Sequence, residues 1–282
     1  MSARQFLINV AIILAVMAVA ALLETVVPMF AEATSKPGRR AANLGLTALS
    51  FLFNWLLTSA TAIIALGLSA RPSSLMTRLG LPLAAQIAAG IVILDFSASY
   101  VAHRALHASP LLWRFHRIHH SDPFVDVTTT YRTHPVETIW RFLFVTVPVW
   151  VLGIPATAVV IQRLLQASNG VLQHSNVRLW PPLDRILSLV FVTPNVHEIH
   201  HSRELAETNS NYGNVLTIYD RLLGTFTPSE RARSVVYELD DADPQRVVSF
   251  PGLLSMPFHE PEGRERTALP DTKVRIRSGT AG

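Results

Sequence analysis

Three long runs without a charged side chain fill most of the first third of the chain, and they limit what it can fold into. Gln5–Leu23 is nineteen residues, Ala41–Ala70 thirty, and Leu79–Leu94 sixteen, the last continuing apolar past Asp95 to Ala102. A helix needs roughly 20 apolar residues to cross a bilayer core, so each run is read as a span. A cleaved secretory signal is the other reading of Gln5–Leu23. Its apolar stretch is longer than the usual ~7–15 residues and a second long block follows it, which favours a span. Charged residues are 16% of the chain, against roughly 25% in an average soluble protein, and the mean hydropathy is +0.31. The net charge of +4 comes without a basic run. This is no nucleic-acid footprint, though it suits an anionic lipid surface. With no cysteine, disulfides, thiolate zinc sites, iron–sulfur clusters and a cysteine nucleophile are excluded within this chain.

A further apolar region runs from Phe142 to Val177, interrupted by Arg163 and by a break at Gly153-Ile154-Pro155. As one helix, residues 138–173 would be about 54 Å long at ~1.5 Å per residue, slightly short of two crossings of a ~30 Å core. A tilted or shallow hairpin turning at Gly153–Pro155 fits. It also keeps the histidine-rich stretches on either side of it at the same membrane face. The expected fold is an all-α integral membrane protein with about four to five membrane-inserted helices, three spans plus the hairpin, under a cytoplasmic histidine-rich cap. Orientation follows from basic residues near the spans. Lys36, Arg39 and Arg40 in the first loop, and Arg104, Arg114, Arg117 and Arg132 around the histidines, place that face inside.

Ten of the eleven histidines cluster: His103, His107, His116, His119, His120, His134, His174, His197, His200 and His201; only His259 stands apart. Spacing makes the cluster specific. His103 and His107 are four apart. His116, His119 and His120 are separated by three and four, and so are His197, His200 and His201. On helices each set shares one face, and Pro110 breaks the first segment from the second so that the faces can meet. Imidazole is the commonest ligand for several transition metals. Eight to ten rings are too many for one ion and suit two, with four or five nitrogens each. Unpaired, so many buried imidazoles would be costly. Neutral rings leave the ions' charge uncompensated, so carboxylates are expected to orient them. The candidates are Asp95, four residues before Ser99 and eight before His103; Glu137, three after His134; Glu198, inside the third cluster; and Asp220 downstream. Spacing alone does not choose the metal.

His103-x3-His107, His116-x2-His119-His120 and His197-x2-His200-His201 resemble the three histidine boxes of the fatty acid hydroxylase/sterol desaturase superfamily. Asp95-Phe96, Tyr100, Leu112-Trp113, Arg132-x-His134-Pro135-x-Glu137, Asn211-Tyr212-Gly213, Asp220 and Gly224-Thr225 extend the resemblance over about residues 85–230. It implies a membrane enzyme with two iron ions that uses O2 as co-substrate to oxidise a C–H bond of a lipid by hydroxylation or desaturation. The eight box histidines are then ligands, His174 a ninth, and His134 either a ligand or a support for one. Such chemistry exceeds what side chains can do and needs two external electrons. With no haem or flavin segment in the chain, they are expected from a separate donor of ferredoxin, cytochrome or reductase type. A site facing the cytoplasm from a bacterial inner membrane follows from this reading. Cleavage of an alkyl-ether lipid and carotenoid hydroxylation are alternatives within the same architecture. A zinc hydrolase or a metal carrier is the alternative outside it.

The expected organisation is two N-terminal helices over residues 1–80, a histidine-box unit over 81–227 with the hairpin 138–173, and a cytoplasmic tail over 228–282, partly disordered. The first two spans add nothing to the assignment. The substrate pocket is expected between the third span and the hairpin.

Overall fold

A computed structural model describes residues 3–31, 36–69, 74–237, 239 and 242–259. Two helices come first, α1 (Ala3–Val26) and α2 (Arg39–Ser69), then a single turn α3 (Leu75–Arg78). The third long helix is continuous from Leu83 to Ala108. It comprises α4 (Leu83–Leu94), a π-helical stretch at Asp95–Val101, and α5 (Ala102–Ala108). After α6 (Pro110–His120) come α7 (Pro135–Leu152) and α8 (Ala156–Gln173), the two arms of the hairpin. Short helices follow: α9 (Pro181–Leu187), α10 (Pro194–His200), α11 (Leu205–Thr208), α12 (Ile218–Leu222) and α13 (Phe250–Ser255). The described residues contain no β-strand beyond two isolated bridges.

Four helices are long and apolar enough to cross a membrane: Arg4–Val26, Arg39–Gly67, Leu83–Ala108 and Pro135–Leu152. The second hairpin arm, α8, is not among them; it carries Gln162, Arg163, Gln166 and Asn169. Leu7, Leu14 and Leu22 on α1, Leu52, Leu56 and Ile63 on α2, and Val147, Trp150 and Val151 on α7 all point outward. So much exposed apolar surface would be a liability in water and is what a lipid-facing bundle presents. Inside, α2 packs on α7, while α1 and α4 pack on α8. Leu94, Val149, Ile154 and Ala158 form the buried centre between α4 and the hairpin. The hairpin turns where the sequence breaks. Gly153 ends α7 at φ 72°, the left-handed region that glycine enters without penalty. An added Cβ there would also lie 2.3 Å from Ser74 Cβ.

Buried polar ties seat the histidine-rich layer on these helices. At the end of α1, a Glu24 carboxylate oxygen accepts from Val127 N and Asn176 N, both at 2.8 Å. At the start of α2, Arg39 pairs with Asp122 at 3.1 Å and with Asp126, and Asn43 donates to Asp122 at 2.8 Å. Arg132 is fully buried; it donates to Ile118 O, Asn43 Oδ1, Ser121 Oγ and Val247 O at 2.7–2.9 Å. The last of these bonds holds a segment expected to be tail. Val247, Leu253 and Met256 pack on Ala42, Leu46 and Ile118, so residues 242–259 are part of the folded body. The last fifteen or so residues, where disorder is expected, lie within 260–282 and so outside the described residues.

Candidate metal centre

The local sequence explains how three histidine-bearing helices come to face one another. Ser109 is extended (ψ 121°), ends α5 and caps α6, and Pro110 occupies the first turn of α6. The chain therefore folds back between His107 and His116. Pro194 starts α10, and Thr193 caps it by accepting from Val196 N. Upstream, the helix is π-wound at Asp95–Val101. Within it Ser99 donates to Asp95, four residues earlier, at 2.9 Å.

Nine histidines converge in two adjoining groups. His103, His107, His116, His120 and His200 form one; His119, His174, His197 and His201 form the other. All nine are buried, with the candidate ligand atoms within 4.8 Å of one another in each group. The groups touch: the His120 and His201 ring centroids are 4.8 Å apart and those of His197 and His200 5.2 Å.

The proton positions carry most of the chemistry. His103 Nδ1–H donates to the Tyr212 carbonyl at 2.8 Å, and His116 Nδ1–H to Glu137 at 2.9 Å. His200 Nδ1–H donates to the Ser210 carbonyl at 2.7 Å, and His174 Nδ1–H to the Gly170 carbonyl at 2.6 Å. In a neutral imidazole whose Nδ1 carries the proton, Nε2 is a bare lone pair. Yet His103 Nε2 lies 3.0 Å from both His116 Nε2 and His200 Nε2. In the second group His174 Nε2 lies 3.0 Å from both His119 Nε2 and His197 Nε2. In the first group three rings with Nδ1 protonated aim their lone pairs at one another, and these repel unless a cation sits among them. Nitrogens ~2.1 Å from one ion and ~90° apart lie about 3.0 Å from each other. The donor set and its spacing therefore fit two metal ions, one per group. Burial, with the neighbouring imidazoles, holds His119, His120, His197 and His201 well below the usual histidine range. Burial also brings His174 down to about 4 and His200 to about 3, against the upward pull of their carbonyl partners. Rings that stay neutral at pH 7 are in the form a metal takes.

The carboxylates divide. Glu137 is fully buried between His116 and Arg141 Nε, the latter at 2.8 Å. Asp220 accepts from Tyr212 N (2.9 Å), Gly213 N (2.8 Å) and Thr225 Oγ1 (2.7 Å). It touches no histidine, but holds the turn that offers the Tyr212 carbonyl to His103. Gly213 belongs to that turn, since a Cβ there would come within 2.6 Å of Leu216 O. Asp95 accepts from Ser99 and from Leu216 N at 3.3 Å. It ties the third long helix to the same loop and is not hydrogen-bonded to a histidine ring. Glu198 is bonded to Tyr237 Oη, and burial pushes its carboxyl well above the usual range. His134 lies outside both groups. Its Nδ1 accepts from Val136 N at 3.2 Å as the cap of α7, and its ring lies against Phe115. His259 also belongs to neither group. The backbone acceptors at Gly170, Ser210 and Tyr212 had no side-chain signal in the sequence.

A cavity of about 200 Å³ opens onto both groups, lined by His103 from the first and by His119, His174 and His197 from the second. Its other walls correct the expectation for the pocket. Phe6, Val10 and Ile13 of α1, Phe51 and Trp55 of α2, and Val160 and Leu164 of α8 line it, while the third long helix contributes only His103. The first two helices, silent in sequence, supply eight of the chamber's lining residues because they pack over α8.

Residues 87–225 match the family model described as fatty acid hydroxylase. The chain is 41% identical over 154 residues to ornithine lipid hydroxylase OlsE of Rhizobium tropici, covering 54% of this chain and 45% of that protein. It is 27% identical over 142 residues to alkylglycerol monooxygenase of Caenorhabditis elegans, covering 50% and 27%. It is 30% identical over 146 residues to fatty acid hydroxylase vlmA of a Lecanicillium species, covering 48% and 40%. The chain thus spans less than half the length of each of these relatives. No solved structure matches it. Over residues 87–225 the chain carries a domain of the fatty acid hydroxylase family, within the superfamily that holds the lipid hydroxylases and alkylglycerol monooxygenases.

Proposed function

We propose that this protein is a membrane-bound di-iron oxidoreductase that uses O2 and two external electrons to hydroxylate or desaturate a C–H bond of a lipid. The observation that carries the reading is the pairing of two nitrogen-only groups, five and four imidazoles, at the head of a largely apolar cavity within a helical bundle. His103, His107, His116, His120 and His200 would hold one iron, and His119, His174, His197 and His201 the other. When bound, the irons supply dioxygen activation and the oxidising power for an unactivated C–H bond, which no side chain provides.

The chain's own residues do the rest. Tyr212, Ser210 and Gly170 carbonyls and the Glu137 carboxylate keep the Nδ1 protons of four rings and turn each Nε2 toward the metal. Asp220 holds the Tyr212 turn. The cavity between α1, α2 and α8 orients an apolar chain beneath the histidines and keeps bulk water away. Electrons come from a separate ferredoxin-, cytochrome- or reductase-type donor at the cytoplasmic face, the face on which the first-loop basic residues place the histidines. A reporter fused after Ser202 would then read cytoplasmic, and an external signal would reverse the topology. Cleavage of an alkyl-ether lipid is the second reading, favoured by the 27% identity to an alkylglycerol monooxygenase.

The direct test is to incubate the full chain in membranes with a reducing donor system and isotopically labelled dioxygen, then read the lipids by mass spectrometry. Label in a hydroxylated lipid supports hydroxylation. An unlabelled product with two fewer hydrogens supports desaturation. An unchanged lipid pool, with the metal present and reduced, contradicts the proposal.

A further inference from the structure

One charged group in the cavity is not used by the histidine centre. Arg163, in the middle of α8, lines the same chamber as His119 and His174. Its two recorded hydrogen bonds go to neutral amide oxygens, Gln166 Oε1 at 2.7 Å and Asn54 Oδ1. Among the described residues no carboxylate pairs with it. The one acid lining the cavity, Glu137, is committed to His116 and Arg141. A guanidinium carries five donors and remains charged, and an ionisable group within a membrane bundle is costly unless compensated. Two other cavity-lining donors are also unanswered: Trp55 Nε1 and Tyr131 Oη are buried with no hydrogen-bond partner among the described residues. Trp55 follows Asn54, the arginine's partner, and Tyr131 packs edge-on against Phe51 one turn earlier on α2. A cation without a carboxylate partner and two open N–H or O–H donors thus line a chamber whose exposed wall is largely apolar. That combination recognises an anionic oxygen group on an apolar chain.

We infer that Arg163, with Trp55 and Tyr131, forms a subsite for the anionic group of the lipid substrate, a carboxylate or a phosphate, so that the enzyme acts on acidic amphiphiles and discriminates against neutral ones. The inference rests on the lipid-oxidation reading for what happens after binding, but the subsite itself is tested by binding. Arg163 is a positioning residue, eleven residues before His174, the cap that ends α8, and it belongs to neither histidine group.

The test uses the full chain with its native metal in an uncharged detergent. Affinities are measured by calorimetry for four twelve-carbon probes: dodecanoate, dodecyl phosphate, dodecanol and dodecyltrimethylammonium. In the wild type at least one anion is expected to bind roughly tenfold or more tighter than dodecanol, as a charge-assisted hydrogen bond implies. The tighter anion names the headgroup. Arg163→Gln is expected to abolish the preference and Arg163→Lys to keep part of it, with metal content unchanged. Equal binding of anion and alcohol, or a preference that survives Arg163→Gln, overturns the subsite. If a variant fails to fold, the wild-type series still decides. The two proposals fail separately. Charge-selective binding without any oxidised product sinks the oxidation reading alone, and oxidation of neutral and acidic lipids at equal efficiency sinks the subsite alone.

Discussion

The five-histidine and four-histidine groups are made of one side chain but held in different ways. In the first, His103, His116 and His200 each give their Nδ1 proton to a fixed acceptor, one of them the buried Glu137 carboxylate. In the second, His174 alone has such an acceptor, while His119 Nδ1 and His197 Nδ1, like His120 Nδ1 in the first, are buried with no partner among the described residues. The exposure to the cavity is reversed. Three of the four rings in the second group line it, against one of five in the first. Ring orientation is set by the partner of the distal nitrogen, so the first group is the stiffer scaffold. The second is the face presented to the cavity, oriented mainly by packing.

That difference can be broken by mutation. The largest effects are expected at the ligands. His119→Ala and His200→Ala should each abolish turnover, with His119→Ala, which leaves three nitrogens in its group, losing one bound metal of two by elemental analysis. Full activity in His119→Ala would contradict a shared centre. Next comes Glu137→Ala, which strips the partner from His116 and leaves the half-buried Arg141 without its carboxylate. A weakening of metal binding of about 10–100-fold is expected in a chelator competition, confined to one of the two ions. An equal loss from both would mean the groups do not differ in support. Asp220→Ala acts one step further out, through the Tyr212 turn. Loss of bonds to a charged group should cost about 1.5–3 kcal/mol, read by thermal unfolding in detergent, with a smaller effect on metal affinity than Glu137→Ala. Smallest is His134→Ala. Losing the cap of α7 should cost about 1 kcal/mol and leave both metals bound, and metal loss there would return His134 to the ligand set.

Much of this was legible because local patterns carry long-range consequences in a membrane helix bundle. Uncharged runs mark the helices, the Gly153–Pro155 break marks the hairpin, and spacings of three and four put imidazoles on shared faces. His174 could be grouped with the boxes by resemblance, not by spacing, since its neighbours in space are 55 and 23 residues away in sequence. What was not legible depends on backbone or on packing between distant helices. Carbonyls of Gly170, Ser210 and Tyr212 have no residue-type signal. Asp95, conspicuous as an acid in an apolar run, answers to Ser99 and a loop amide instead of a histidine. The walls supplied by Phe6, Val10 and Trp55 look like any lipid-facing apolar residue until α1 and α2 are seated over α8. Val247 and Leu253, in a stretch whose proline and mixed charge suggested tail, are held by the buried Arg132 and by the α2–α6 groove.

The most direct test of a two-metal nitrogen centre is metal analysis with spectroscopy on full-length protein purified without oxygen. About two irons per chain, in a ferrous state that reacts with O2, is the expected result. Stoichiometric zinc that sustains activity while iron does not would contradict it.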